Sequence, residues 1–382
     1  MMSRKIAIIT GSRGEYGYIR PIIRRIEKDP DLEYEIIITN LHLLHEFGYS
    51  AQEIKKDGFK ISESIHNTFD GYNHQTMVKS LGVFLMQAPE AIDRLKPDII
   101  LLAGDRGEQL MAAITGSHLY IPVAHIQAGE VSGNIDDATR HAIARYAHVH
   151  FAASQQAADR LIKSGEQDFR VYNTGAPMLD ELVDGSEIAP KEEIFNKFGF
   201  DSSKPIFLLV MHPVTEEYAS AAENTVKVLQ AVNSFGAQVV IIFPNSDAGS
   251  KEVRNVINKN RSPLTKIFRN LPRREYAGIM NVASVMIGNS SSGLIESPVF
   301  KLPTVNVGRR QLGREYATNI IHSSYDTNEV VSAIKRALSA EFKTIVSQAV
   351  NPYGDGASSE RIVNILKNLK IDDKLLIKRI TF

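Results

Sequence analysis

The chain has 382 residues, enough for two domains of medium size, and its 43% hydrophobic and 23% charged content is ordinary for a globular protein. Lysine plus arginine and aspartate plus glutamate balance at 44 each, so nothing in the net charge invites bulk binding to nucleic acid or to an anionic membrane. Cysteine is absent, which removes disulfides, thiolate metal ligands and thiol nucleophiles together.

Short β-branched runs alternate with longer amphipathic segments, the pattern of a parallel α/β architecture. The opening run at 5–10 reads as a first strand and is far too short for a signal peptide or a membrane span, so a cytoplasmic protein is expected. Further strands are expected at 34–39, 99–103, 123–126 and 148–152, with helices over 17–27 and 77–94. Around 179–204 the pattern loosens into a Gly- and Pro-bearing connector with a helix at Lys191–Phe198. A second series places strands at 206–211, 239–243, 266–268, 285–287 and 304–307, and a capped amphipathic helix at 358–370. The expected organisation is one Rossmann-like domain over 1–178, a connector over 179–204, a second such domain over 205–357, and a helix and tail over 358–382. Two such domains place a ligand in a cleft outside the carboxyl ends of both sheets.

The first turn, Thr10 to Gly17, spaces its glycines as G-x-x-G-x-x-G, and no carboxylate follows the second strand, so a dinucleotide is not expected. That turn instead offers Arg13 and Glu15 as a cation and a carboxylate. Asp105 and Arg106 follow the strand at 99–103, a position where ligands bind in open α/β sheets. The stretch His125 to His141 packs Gln127, Glu130, Asp136, Asp137, Arg140 and His141 beside small residues, and either aspartate could also N-cap the following helix. His212 ends the first strand of the second half, and Asn245 and Asp247 end another. Gly288-Asn289-Ser290-Ser291-Ser292-Gly293 reads as a strand, turn and helix start whose N–H groups and hydroxyls suit a diphosphate. Glu296 is expected a turn into that helix, within reach of ligand hydroxyls, and Arg310 is a further diphosphate partner. His148 and His150 alternate on a strand with no third ligand in register, so they are read as structural and no metal is expected.

In this order, G-D-R, H-I-x-x-G-E-V-S-G-x-I-D-D-x-x-R-H, H-P-V-T, F-P-N-x-D-A-G-S-K, G-N-S-S-x-G and R-Q-x-G-R resemble the hydrolysing UDP-N-acetylglucosamine 2-epimerases, from residue 5 to about 356. The resemblance implies a GT-B type fold, two Rossmann-like domains across a cleft with a C-terminal helix crossing back to the first. It implies conversion of UDP-GlcNAc and water to N-acetylmannosamine and UDP, with no cofactor, in a homodimer or homotetramer. A sister group acts on UDP-N,N'-diacetylbacillosamine. By the same resemblance, Asp105 and Asp136 carry the acid–base steps, with Gln127, Glu130 and Arg140 beside them, and His212 assists departure of the phosphate. Ser290, Ser291 and Arg310 hold the diphosphate with Arg13 nearby, and Glu296 holds the ribose.

One departure bears on activity. Gln127 stands where family members often carry Glu, and an amide cannot exchange a proton at neutral pH, so acid–base work there passes to Asp105, Glu130 or Asp136. Other hydrolysing members vary at this position too, which makes it a clue to specificity. Two competing readings remain at this point: a GT-B glycosyltransferase, and a non-catalytic nucleotide-sugar sensor.

Overall fold

The computed structural model describes residues 3–45, 48–69, 74–131, 135–244 and 249–381. The chain divides into two compact units. One runs to Val131, continues over Ile135–Asp180 and resumes from Tyr353; the other is built from Glu181–Pro352.

The first unit holds a seven-stranded sheet in the order β3-β2-β1-β4-β5-β6-β7. Its strands are β1 (Arg4–Thr10), β2 (Leu32–Thr39), β3 (Ile61–Ile65), β4 (Ile99–Ala103), β5 (Val123–Ala128), β6 (Val149–Ala152) and β7 (Val171–Asn173). All neighbours pair in parallel, β4 against β1 through Ile6↔Ile99 and Ile8↔Leu101. Every residue of β4 and β5 is buried, as a parallel sheet covered by helices on both faces requires. On one face Ile6, Ile8, Leu101 and Ile126 pack with Ile19, Ile22 and Ile23 of the helix Arg13–Ile26. On the other, Ala7, Ile9, Ile100 and Leu102 pack with Phe84, Ala88, Ile92, Ala112 and Ala113.

The second unit holds a six-stranded sheet in the order β10-β9-β8-β11-β12-β13, again parallel throughout. Its strands are β8 (Ile206–Val210), β9 (Gln238–Ile242), β10 (Thr265–Phe268), β11 (Val285–Gly288), β12 (Thr304–Val307) and β13 (Ile320–Ser323). The helix Lys191–Phe198 forms at the expected residues and packs Ile194 and Phe198 against Ile206, Leu208 and Met286 of this unit. Gly199 ends it in the left-handed conformation that favours glycine at that position.

The helix Ser358–Asn368 belongs to the first unit, with Ile362, Val363 and Leu366 in the β1 core. Its N-terminus is satisfied from far along the chain: the Asp180 carboxylate accepts from the backbone N–H of Ser358 at 3.1 Å and of Ser359 at 2.7 Å. Among the described residues no helix is long and apolar enough to cross a membrane.

The expected strands are all present. Three strands were not anticipated, β3, β7 and β13, and all lie at sheet edges. Ile-Ser-Glu-Ser-Ile in β3 and the three residues of β7 lack the apolar run that marks a central strand.

Candidate active site

In each sheet the strand order reverses once, between β1 and β4 and between β8 and β11, and the crevice outside those carboxyl ends is where open parallel sheets bind ligands. Among the described residues, those singled out from sequence as catalytic or binding lie at or beside these two places, and each unit builds its own set.

At the end of β1, Arg13 and Glu15 lie in the first turn of the helix Arg13–Ile26, where the sequence pattern had placed a free turn. Ser12 caps that helix, its hydroxyl accepting from the Glu15 N–H at 3.4 Å while the Glu15 carboxyl reaches back to the Gly11 N–H at 2.6 Å. Ser12-Arg13-Gly14-Glu15 is an S-x-x-E capping signature, a local signal of this helix start. Glu15 and Arg13 do not form a surface pair. Glu15 is 3% exposed, whereas Arg13 reaches Glu53 at 3.9 Å. Burial pushes the Glu15 carboxyl up to about 8, against the opposing pull of Arg106 and the Gly11 N–H.

At the end of β4, Gly104 adopts a positive φ of 85° and leads into Asp105, which forms an ion pair with Arg140. Arg140 comes from the helix Ile135–Tyr146, is 1% exposed, and also donates to the Gln127 carbonyl at 2.8 Å. Gln127 is the bulge of β5: the pairing with β6 shifts register between Ile126 and Ala128, and Gln127 takes a φ of 60°. A bulge re-aims the groups of one residue, here turning the Gln127 carbonyl toward Arg140 at the cost of a left-handed non-glycine residue. The Gln127 side chain is 2% exposed and its Nε2 has no protein partner.

Gly129 follows at a φ of 76°, where a Cβ would collide with the Ala157 carbonyl. Glu130 is buried, within 3.5 Å of the Ser154 hydroxyl, and interacts electrostatically with Arg140. Asp136 and Asp137 lie inside the first turn of the helix, and Asp136 also acts on Arg140. Arg140 thus pairs with Asp105, holds the Gln127 carbonyl, and feels the charges of Glu130 and Asp136.

Beneath this group His125 donates through Nε2 to the Gly104 carbonyl at 2.6 Å, and burial drops its pKa to about 3, so the ring is neutral. Arg106 precedes the helix Gly107–His118 with its Nε 3.7 Å from Glu108. Sequence reasoning missed Gln109, whose Nε2 donates to the Ile9 carbonyl at 3.2 Å and to Glu15 at 3.0 Å. An amide on a buried helix face carries no local signal of such a role.

In the second unit, Asn289 joins the ends of β8 and β11. Its Oδ1 accepts from the His212 N–H at 2.7 Å and its Nδ2 donates to the His212 carbonyl at 2.8 Å. The Asn289 carbonyl in turn accepts from Gln311 at 2.9 Å and Arg310 at 3.2 Å. Burial, helped by Arg310, lowers the His212 pKa to about 3, so its ring is a neutral hydrogen-bonding group. Gly288 has a φ of 128°, and a Cβ there would strike the Val210 carbonyl.

The serine turn is tied together by hydroxyls: Ser290 lies 2.9 Å from Ser292, and Tyr276 lies 2.7 Å from Ser292. Ser291 precedes a helix of only four residues, Ser292–Ile295, with Pro298 in the following 3₁₀ turn. Glu296 therefore sits at that helix's C-cap, where a longer helix was expected, because proline cannot continue it. It is 3% exposed and ion-paired to Arg273 at 2.8 Å, with Oε2 unpartnered. Asn245 and Asp247 lie outside the described residues. His148 and His150 are occupied structurally, His148 Nδ1 accepting from the Val123 N–H at 3.1 Å and His150 meeting Glu166 at 2.9 Å.

Residues 24–367 match a family model described as UDP-N-acetylglucosamine 2-epimerase. The chain is 37% identical over 379 residues to the UDP-N,N'-diacetylbacillosamine 2-epimerase (hydrolyzing) of Legionella pneumophila, covering 99% of both chains. It is 32% identical to the GDP/UDP-N,N'-diacetylbacillosamine 2-epimerase (hydrolyzing) of Campylobacter jejuni, covering 97% of both. The UDP-N-acetylglucosamine 2-epimerase of Neisseria meningitidis is 29% identical, covering 96% of this chain and 95% of that one. The crystal structure of UDP-GlcNAc 2-epimerase from Neisseria meningitidis bound to UDP-GlcNAc superposes with a TM-score of 0.82 over 95% of this chain and 99% of that one, at 17% identity, which shows the shared GT-B-like fold. With a family model spanning most of its length and relatives matched end to end, the chain belongs to the UDP-N-acetylglucosamine 2-epimerase family.

Proposed function

We propose that this chain is a hydrolysing UDP-sugar 2-epimerase whose substrate is UDP-N,N'-diacetylbacillosamine, releasing UDP and the free 2-epimeric sugar. The observation that carries the chemistry is the Asp105–Arg140 ion pair, with the charges of Glu130 and Asp136 acting on the same arginine. The 37% and 32% identities to hydrolysing diacetylbacillosamine epimerases support the choice of sugar. UDP-GlcNAc is the second reading, favoured by the Neisseria relative at 29% identity.

In the proposed reaction one carboxylate of the Asp105–Asp136 pair removes the C2 proton. The C2–H electrons form the C1–C2 double bond as the C1–O bond breaks and its electron pair leaves with UDP. Water then adds its oxygen to C1 of the glycal as C2 takes a proton on the opposite face from the other carboxyl group, and the carboxylate so formed takes up the proton that the water gives up, giving the epimer. Gln127 exchanges no proton; its unpartnered Nε2 is a donor for a sugar oxygen. In the second unit Arg310 and the Ser290 and Ser291 hydroxyls bind the departing diphosphate, and neutral His212 donates or accepts a hydrogen bond there. Glu296, held by Arg273, offers its free Oε2 to ribose hydroxyls. In the first unit Arg13 and Arg106 add positive charge, and the reaction needs no redox cofactor. A homodimer or homotetramer, working in the cytoplasm, is the proposed setting.

The test is to incubate the protein separately with UDP-N,N'-diacetylbacillosamine and UDP-GlcNAc and identify products by NMR. Free 2-epimer plus UDP, formed faster from the diacetamido sugar, is expected. A 2-epimer still joined to UDP would overturn hydrolysis, and faster turnover of UDP-GlcNAc would overturn the choice of sugar.

A further inference from the structure

Glu15 is a buried carboxyl at the β1/β4 reversal that the proposed chemistry leaves without a task. Its Oε2 accepts two hydrogen bonds, from the Gly11 N–H at 2.6 Å and from Gln109 Nε2 at 3.0 Å. Its Oε1 is equally buried and has no protein partner. A capping-box glutamate is normally an exposed anion drawn to the helix end, and this one is neither exposed nor, among the described residues, ion-paired. It lies directly under the turn that presents Asp105, for a Cβ on Gly104 would sit 3.7 Å from Glu15 Cγ.

An ionised carboxylate here would leave a charged oxygen buried and unsolvated, the costliest of the possible arrangements. A carboxylic acid fits better, with a carbonyl-type Oε2 taking both N–H groups and an Oε1 hydroxyl free to donate. The charged groups around it divide. Arg106 from the β4 turn favours the anion; Asp105 from the same turn and Glu108 from the next helix disfavour it; Arg13 lies on its own helix. Burial outweighs them, and the carboxyl is pushed up to about 8.

We propose that Glu15 is a neutral hydrogen-bond donor of the substrate site, its buried Oε1 hydroxyl reserved for an acceptor oxygen of the sugar nucleotide. The inference rests on the reading of the chain as a sugar-nucleotide enzyme. A carboxylate so placed would repel the anionic ligand, whereas the acid binds it. Raising the pH through the Glu15 pKa removes the donor and adds a negative charge, so KM rises while the chemical step changes less.

The experiment has two readouts. The carboxyl carbon of Glu15, followed by 13C NMR in the ligand-free protein and assigned by its loss in Glu15→Gln, titrates near 8 on this account. In kinetics with the UDP sugar, Glu15→Gln keeps an uncharged donor, stays within about threefold of wild-type kcat/KM at neutral pH and loses the alkaline rise in KM. Glu15→Ala raises KM by about tenfold, the size of one net hydrogen bond. A Glu15 carbon titrating near the ordinary 4.5, or a Glu15→Gln protein as impaired as Glu15→Ala, overturns the proposal. If the wild-type protein turns over no UDP sugar, the functional reading fails, and the NMR titration still decides whether Glu15 is neutral.

Discussion

The two units share a parallel sheet with the same inner strand reversal, yet they furnish it with opposite chemistry. At β1, β4 and β5 the first unit gathers ionisable groups: buried Glu15, Glu130 and Arg140, half-buried Asp105 and Asp136, and a neutral His125 beneath. At β8 and β11 the second unit relies mainly on neutral donors, Ser290, Ser291, Ser292, Tyr276 and Asn289, with Arg310 bonded to the backbone, a histidine kept uncharged, and Arg273–Glu296 as its buried ion pair. The shared topology thus offers the same place in each sheet, and the side chains there differ in the chemistry they suit. The first pattern suits proton transfer and the second suits holding an anion that must be released.

The comparison can be broken by substitutions that separate the two tasks. Asp105→Asn is expected to lower kcat by about 10³-fold, inside the usual span for an acid–base group, and to leave UDP affinity within about threefold by calorimetry. Comparable loss in both would merge the roles assigned to the two units. Gly288→Ala is expected to cost about 3 kcal/mol in chemical denaturation, because its Cβ strikes the Val210 carbonyl at a left-handed φ. Arg310→Ala is expected to weaken UDP binding by about 30-fold while changing kcat less, the size of a charged hydrogen bond.

The remaining prediction concerns pH-dependent stability. Burial depresses His42, His148 and His150 to about 4 and His125 to about 3. Their folded pKa values lie below the unfolded value of 6.5, so the unfolded chain takes up protons first and stability falls as pH drops from 6.5 toward 4. Glu15 and Asp180, both raised, act with the opposite sign over part of that window. The expected net loss is roughly 1–3 kcal/mol per pH unit, measured by denaturant titration at pH 6.5 and 5. A flat profile would contradict the neutral buried histidines of the first unit.

What was legible in the sequence follows from range. Central strands such as Ile99–Ala103 announce themselves because both faces are buried, while the edge strand Ile61–Ile65 keeps a polar interior and stays silent. Most candidate site residues were legible because they lie in local strings at strand ends. Their pairing was not: Arg140 reaches back to Asp105, and Asp180 caps Ser358, across stretches no local pattern spans. Glu15 was visible as a residue, but the hydrogen bond that holds its buried carboxyl comes from Gln109 of a distant helix. Likewise the four-residue helix before Glu296 was overestimated, although Pro298 stood in plain view.

The most direct test of the account is solvent exchange at C2 during turnover in heavy water. With UDP-N,N'-diacetylbacillosamine, proton NMR should show free 2-epimer carrying deuterium at C2 alongside UDP, and Asp105→Asn should slow the appearance of both by the same roughly 10³-fold. Released sugar that retains its original C2 proton would contradict the assignment of proton transfer to the groups around Arg140.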